Sequence, residues 1–299
     1  MITWTAAGAI ERPRTLQVRL QRSYPGRIRA GAPVPTRSMP TDEVLRNLAW
    51  FTTAGPRGLP CTALVLSGVG AAARPDLVEL CVDARARGMT RITLHAGTED
   101  LEDLVPQRLP VDTLVLPVQP GESGATLAAA ARALLAARTA ALSVAANVPL
   151  TAASLPLLPA IARAIVAGGA ATASFTFPFP VDGAHANDAP PAPRAIAALR
   201  EVVPALEQAG VRVAVKGLPP CYLGDLARLT GRTANRWYVD ADHQTEKALL
   251  FFPDVVAFHK GETCRFCAAD SRCDGFFANY LRRPGFPPLR PIEGASGGI

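Results

Sequence analysis

An α/β fold with a parallel sheet is the expectation for this 299-residue chain, on three observations. Short β-like runs alternate with helical stretches about six times along the sequence. Several runs are nearly continuous in Val, Leu, Ile and Ala, as parallel strands buried on both faces are. Pro, Asp and Gly punctuate the joins where helices start and stop. Repeated strand–helix alternation implies right-handed crossovers between parallel strands. Two architectures meet that description: a closed or partial (β/α) barrel, and an open doubly wound sheet. The partial barrel is favoured, with a tail after about Pro219.

Taken in order, the strand candidates are Leu16–Leu20, Thr62–Ser67, Arg91–His95, Thr113–Val118, Ala141–Val148, Thr172–Phe177 and Val211–Lys216. The helices between them are Thr41–Ala54, Pro75–Gly88, Gly124–Arg138, Ser154–Ala167 and Pro193–Gly210. Thr41 followed by Asp42 and Glu43 reads as an N-cap with acids in the first turn, where the helix dipole favours them. Pro75–Asp76 marks another helix start. Gly88 and Gly210 sit just past helix ends, where a left-handed cap is cheap for glycine. Pro178–Pro193, rich in Pro, Ala and Asp, reads as a surface loop. Pro284–Ile299 reads as irregular or frayed.

Composition narrows the function classes. The chain is 49% hydrophobic and 19% charged, with 31 Lys and Arg against 25 Asp and Glu, a formal net charge of +6. That is too apolar for general disorder. No apolar run reaches the roughly 18–20 residues of a membrane span. Met1–Arg14 lacks the pattern of a secretory segment, since Glu11, Arg12 and Arg14 arrive too early. A soluble cytoplasmic protein is the default expectation. A charge of +6 spread along the whole chain does not point to nucleic acid.

The six cysteines are the sharpest signal. Cys264, Cys267 and Cys273 fall within ten residues as C-x2-C-x5-C, a spacing that lets thiolates converge on one metal centre. A fourth ligand must come from elsewhere. Cys221, in Gly217-Leu-Pro-Pro-Cys221, follows the last strand candidate and is the best donor, with His259 the rival. Cys221, Cys264, Cys267 and Cys273 would make a tetrathiolate, suited to a [4Fe–4S] cluster or to Zn²⁺. Disulfides are disfavoured by the expected compartment. Cys61 and Cys81 read as buried core thiols.

Other candidates are weaker. Gly68-Val-Gly70 lacks the third glycine of a dinucleotide fingerprint and reads as a tight turn. Gly121-Glu-Ser-Gly124 reads as a helix start. His95, at a strand end, and His243, in Asp240-Ala-Asp-His243, are possible acid–base groups; a structural contact is the commoner role for each. Asp240 and Asp242 point the same way only in extended chain. Arg22, Arg27 and Arg29 read as solvated loop charges.

The order of the pieces is similar to that of the radical SAM superfamily. The resemblance is carried by Pro40-Thr-Asp-Glu-Val-Leu45, Leu66-Ser67-Gly68, Arg74-Pro-Asp-Leu77 and Arg91-Ile-Thr-Leu-His-Ala-Gly97. It continues through Lys216-Gly-Leu-Pro-Pro-Cys221 and the ending Cys264-x2-Cys267-x5-Cys273-Asp-Gly275, with Tyr280, Gly285 and Pro291 beyond. It spans Leu16 to Pro291. It implies a partial (β/α) barrel of the radical SAM type over residues 1–218. Residues 219–299 would form a short extension of the kind that holds an auxiliary [4Fe–4S] cluster.

The defining motif is missing. The family's C-x3-C-x2-C after the first strand is replaced by Gln21-Arg-Ser-Tyr-Pro-Gly-Arg-Ile-Arg-Ala-Gly31, and no cysteine precedes Cys61. The family's Gly-Gly-Glu-Pro stretch reads Gly68-Val-Gly-Ala71, without the carboxylate that pairs with the SAM ammonium. The resemblance therefore implies a degenerate member that does not cleave SAM, and it weakens the case for SAM binding. Such a chain would serve as a partner or scaffold subunit for a cluster-bearing radical SAM enzyme or its peptide substrate. The alternative is a non-radical barrel enzyme with a structural Zn²⁺ at the cysteines.

Overall fold

The computed structural model describes residues 13–23, 36–53, 59–68, 70–96, 110–118, 125–139, 143–178, 188–232, 236–251 and 258–293. The first half holds strands β1 (Thr15–Ser23), β2 (Thr36–Ser38) and β3 (Ala63–Gly68), then β4 (Arg91–His95) and β5 (Thr113–Pro117). The second half adds β6 (Ser143–Pro149), β7 (Thr172–Thr176) and β8 (Arg212–Lys216). Strands β1, β3, β4, β5, β6, β7 and β8 are parallel neighbours in that order. Helices α1 (Thr41–Thr52), α2 (Leu77–Ala86), α3 (Ala125–Thr139), α4 (Leu158–Ala167) and α5 (Ala192–Gln208) run between strands. Every strand and helix expected from the sequence forms, within a few residues of its expected ends. Gly88 and Gly210 take φ values of 91° and 78° just past their helices, as expected of left-handed caps.

Three local expectations are corrected. Thr41 is the first helical residue rather than the N-cap, which is Pro40. The Thr41 hydroxyl donates instead to Asp76 at 2.6 Å. The same carboxylate takes two bonds from Arg74, which also donates to the Met39 carbonyl. The guanidinium holds the Asp76 carboxyl below its ordinary range. The Arg74-Pro-Asp-Leu77 motif thus clamps the start of α2 to the start of α1.

The strands are not buried on both faces. Leu16, Val18 and Leu20 are fully buried while Gln17 and Arg19 are half-buried, and the alternation repeats in β4 to β8. One face packs under the helices through side chains such as Leu48, Leu80, Ile161, Leu199 and Leu206. The other lines a half-open lumen, where polar residues stay solvated, because the sheet is curled but unclosed. In that lumen Gln17 donates to Ser67 and Thr176 to Asn147. His95 is exposed to solvent there yet surrounded by protein, as befits a concave wall. That desolvation, with Lys216 and Arg236 nearby, lowers its pKa to about 4.

The chain after Pro219 is more ordered than a tail. It begins with the helical turn α6 (Pro220–Leu223). It then returns to the sheet as β9 (Arg236–Val239), parallel to β1 on its free side, followed by the antiparallel β10 (Leu249–Phe251). Trp237 and Leu249–Phe251 held the signal for this pair, in aromatic and branched residues, but four- and three-residue strands are too short to stand out. The loop after β9 is fastened to α1 by Asn47, which is fully buried. Asn47 accepts from the Thr245 amide and donates to the Glu43 carbonyl and the Gln244 side chain.

Two outcomes follow from these contacts. Asn47→Ala should cost about 2–4 kcal/mol, since it strands several buried partners at once; a lowered urea midpoint with unchanged m-value would show it. For His95, the unfolded chain binds a proton that the folded chain rejects between pH 6.5 and about 4. Stability therefore falls as pH drops through that window, and His95→Gln should flatten that part of the stability–pH curve.

Candidate functional site

Cys264, Cys267 and Cys273 are brought together by a run of tight turns. Backbone hydrogen bonds link Cys264 to Gly261, Cys267 to Cys264, Asp270 to Cys267 and Cys273 to Asp270. Each bond spans three residues, the repeat of a 3₁₀ turn, in which residues three apart eclipse one another. Two 3₁₀ segments, Glu262–Phe266 and Asp270–Arg272, make up the run. The spacing C-x2-C-x5-C is therefore three, then twice three, and all three thiols face one side. Lys260 straps the turns by donating to the Asp270 carbonyl and carboxylate.

The fourth thiol arrives from the barrel. Strand β8 ends at Lys216, the chain turns at Gly217, and Pro219–Pro220 start α6 with Cys221 in its first turn. The result is a small pocket lined by Cys221, Cys264, Cys267 and Cys273, with Lys260 and Asp270 among its other walls. All six cysteines are free thiols. His259, the rival donor, pairs with Phe276 in a short ladder and is not part of the lining. Among the described residues, no three His, Cys, Asp or Glu side chains are gathered as the ligands of a single ion.

Backbone N–H groups surround the sulfurs. Cys267 Sγ accepts from Ala269 at 3.4 Å and from Ile292 at 3.2 Å. Cys273 Sγ accepts from Gly275 at 3.2 Å. The Arg290 amide serves Cys221. Such donors favour a thiolate and set the electronics of any metal it binds. Burial works the other way: it raises the Cys221 thiol, and raises that of Cys273 to about 11. Cys221 also feels Cys264 and Cys267, whose charges oppose its ionisation.

Sequence reasoning missed the cap on this pocket. Pro284–Glu293 is irregular but not frayed: Phe286 and Leu289 pack on the core, and Ile292 bonds to both ends of Cys267–Ala268. Gly275 is essential to the geometry. Its φ is 90°, and a Cβ there would lie 2.3 Å from the His259 carbonyl oxygen. The spacing of Gly261, Cys264, Cys267, Asp270 and Cys273 was the available signal for the turns. Nothing local marked Arg290 and Ile292 as donors.

An aromatic cluster seats this module on the barrel. Strand β11 (Phe258–His259) pairs with β12 (Phe276–Phe277), which leads into α7 (Ala278–Leu281). Phe276 and Tyr280 pack on Phe177 at centroid distances of 5.9 and 5.5 Å, and Phe286 stacks on Tyr280 at 5.0 Å. The Tyr280 hydroxyl donates to the Pro178 carbonyl at 3.0 Å. The thiol pocket thus sits at the end of the barrel where β7 and β8 finish.

The remaining candidates resolve differently. Cys61 and Cys81 are buried, and desolvation pushes both thiols up to about 12, as inert core residues. Asp240 is buried and accepts from the Asp242 and His243 amides and binds His243 Nδ1 at 2.9 Å. That makes Asp240–His243 a hydrogen-bonded turn, and Asp242 turns outward to Arg37 instead. Gly68 ends β3 at a φ of 123°, where a Cβ would lie 2.7 Å from the Gln21 backbone. It is a close strand crossing, beside a register shift in β1, rather than a phosphate cradle. Arg22 lies in β1 opposite Arg37 of β2. Arg27, Arg29 and Gly121–Gly124 lie outside the described residues. Among those residues, no helix is long and apolar enough to cross a membrane.

No protein-family model matches the chain, and no curated protein does. Solved structures do. The crystal structure of Streptococcus suis SuiB bound to S-adenosylmethionine aligns with a TM-score of 0.59 over 94% of this chain and 77% of that one, at 11% identity. SuiB bound to precursor peptide SuiA aligns at 0.55 over 96% and 76%, at 10% identity. At these identities the likeness speaks for the fold, and the fold is the partial (β/α) barrel of the radical SAM type.

Proposed function

We propose that this chain is a degenerate radical SAM-type protein that holds a [4Fe–4S] cluster on Cys221, Cys264, Cys267 and Cys273. It would act as a partner or scaffold subunit for a radical SAM enzyme or its peptide substrate. The observation that carries this reading is the pocket that four thiols line together. A multi-iron cluster takes one thiolate per corner from around a shared space, which is how these four thiols are set. A single Zn²⁺ would need all four sulfurs to meet about 2.3 Å from one point. The amide donors on Cys221, Cys267 and Cys273 fit the same group, since N–H···S bonds tune the potential of such clusters.

Four thiolates would leave no iron open. Bound there, the cluster would supply electron transfer or rigidity, and the chain's own residues would position it. Cys264, Cys267 and Cys273 would hold three corners from one run of turns, Cys221 the fourth from the barrel end, and Leu289 and Arg290 would wall one side. Loss of SAM cleavage rests on the sequence, which has no cysteine before Cys61 and no carboxylate at Gly68–Ala71. The division into a barrel over 1–218 and an extension over 219–299 fits this reading, with the extension lending β9 and β10 to the barrel's edge. A peptide-linked role draws on SuiB, whose structure holds precursor peptide SuiA.

Protein purified without oxygen should contain iron and acid-labile sulfide at about four each per chain, with a broad visible absorption band. Cys264→Ala with Cys267→Ala should abolish both. One zinc and no sulfide would instead make the cysteines a structural clip and favour a non-radical barrel enzyme. Neither metal would remove the proposal. Gly275→Ala should lower the iron bound per chain and the thermal midpoint together, because the turn beside Cys273 has no room for a Cβ. If iron content and midpoint both stay at wild-type level, the turn is not what shapes the site. A pull-down with the cluster-loaded chain as bait, probed for a cluster-bearing enzyme, tests the scaffold role separately.

A further inference from the structure

The four thiols are not equally held. Cys267 and Cys273 each stand just past a 3₁₀ segment in extended backbone, at ψ values of 131° and 134°. The extended residue brings the amide two positions on back to its own sulfur, so that Ala269 donates to Cys267 and Gly275 to Cys273. Cys267 accepts a second bond from Ile292, and Cys221 accepts one from Arg290. Cys264 lies inside its segment, Glu262–Phe266, where amides point along the helical axis and are spent on the turn itself. Among the described residues no N–H donates to its sulfur.

Cys264 also faces outward. Besides the thiol pocket it lines an open depression of the surface, with Lys260, Gly261, Glu262, Arg265 and Asp270. Cys221 reaches an outer groove too, beside Tyr222 and Pro287, but it carries the Arg290 amide. Hydrogen bonds to an ionised group are strong, so each amide holds its thiolate in place. Solvent access at a metal site eases the exchange of what is bound there. The thiolate with no donor and an outer face is the one that yields first.

Resting on the cluster reading above, we propose that Cys264 is the displaceable ligand of the four, and that a small external thiolate can take its place from the outer depression. Cys221, Cys267 and Cys273 stay in place and keep the rest of the cluster. A one-electron oxidant such as ferricyanide exposes the difference. The [4Fe–4S]²⁺ cluster gives up one electron, and the resulting [4Fe–4S]³⁺ releases Fe²⁺ to leave [3Fe–4S]⁺ on those three thiolates. Ferricyanide becomes ferrocyanide, and the Cys264 thiolate is left free.

The test uses the full wild-type chain, purified without oxygen and assayed for iron and sulfide. One equivalent of ferricyanide is followed by iodoacetamide, and the alkylated cysteines are mapped by mass spectrometry. Cys264 should carry about 10-fold more label than Cys221, Cys267 or Cys273, the weight of one hydrogen bond to a charged group. A three-iron electron paramagnetic resonance signal should appear as iron is lost. Cys61 and Cys81, buried in the core, should stay unlabelled. Earlier labelling of another of the four, or equal labelling of all four, overturns the proposal and leaves the cluster reading intact. A chain without iron and sulfide removes both. Single variants give a second arm. Cys264→Ala should hold about three irons per chain, and about four when reconstituted with iron and 2-mercaptoethanol. Cys267→Ala and Cys273→Ala should hold less iron and gain none from the added thiol. Rescue of either of those in place of Cys264→Ala also overturns the proposal. If a variant does not fold, the labelling of the wild-type chain decides.

Discussion

The packing of Phe276 and Tyr280 on Phe177 is the contact on which the arrangement of this protein depends. Phe177 directly follows β7, and its amide bonds to the carbonyl of Lys216 at the end of β8. The aromatic cluster therefore grips the two strands that deliver Lys216 to the lumen and Cys221 to the thiol pocket. Burying each large ring is worth roughly 1.5–3 kcal/mol. Edge-to-face and stacked pairs add a further increment. Gly217 makes the seat possible, since a Cβ there would lie 3.2 Å from Phe177. Remove the cluster and the extension loses its register with the barrel, although each part retains its local hydrogen bonds.

The barrel's elements were readable because their signals are local and repeated. Leu16–Leu20 and Arg91–His95 show the apolar density of strands, and Gly88 and Gly210 stop helices where left-handed backbone is required. Their depth was misjudged: a run such as Thr172–Phe177 looks doubly buried, but Ser174 and Thr176 face a lumen that the sheet leaves open. The short pair β9 and β10 escaped notice because its stability comes from β1 and from Asn47, far away in sequence. The same holds at the thiols. The grouping of Cys264, Cys267 and Cys273 is written in their spacing, and Cys221 was legible from its place after a strand. The N–H donors of Arg290 and Ile292 exist only because the chain folds back over the pocket. At Asp240–His243 the structural contact that the sequence favoured is what forms, although an acid next to a histidine looks the same in sequence whether it reacts or merely ties a loop.

The thiol pocket and the carboxyl end of β8 share one end of the fold. In the thiol pocket Lys260 is already engaged by Asp270. The lumen is open to solvent. Strand β8 and the short link from Lys216 to Cys221 join them. A change in backbone position at Gly217 would be felt on both sides.

The closure of the thiol pocket also bears on how the molecule is made. Cys221 and the Ile292 amide that bonds to Cys267 lie about a quarter of the chain apart. Domains fold as their segments emerge during synthesis. The barrel strands up to β8 can pair early, with three of the four thiols still unmade. The pocket gains its last wall only when the segment through Ile292 has been released. Any group lodged there meets all four thiols and the Ile292 donor together only once the segment through Ile292 has emerged.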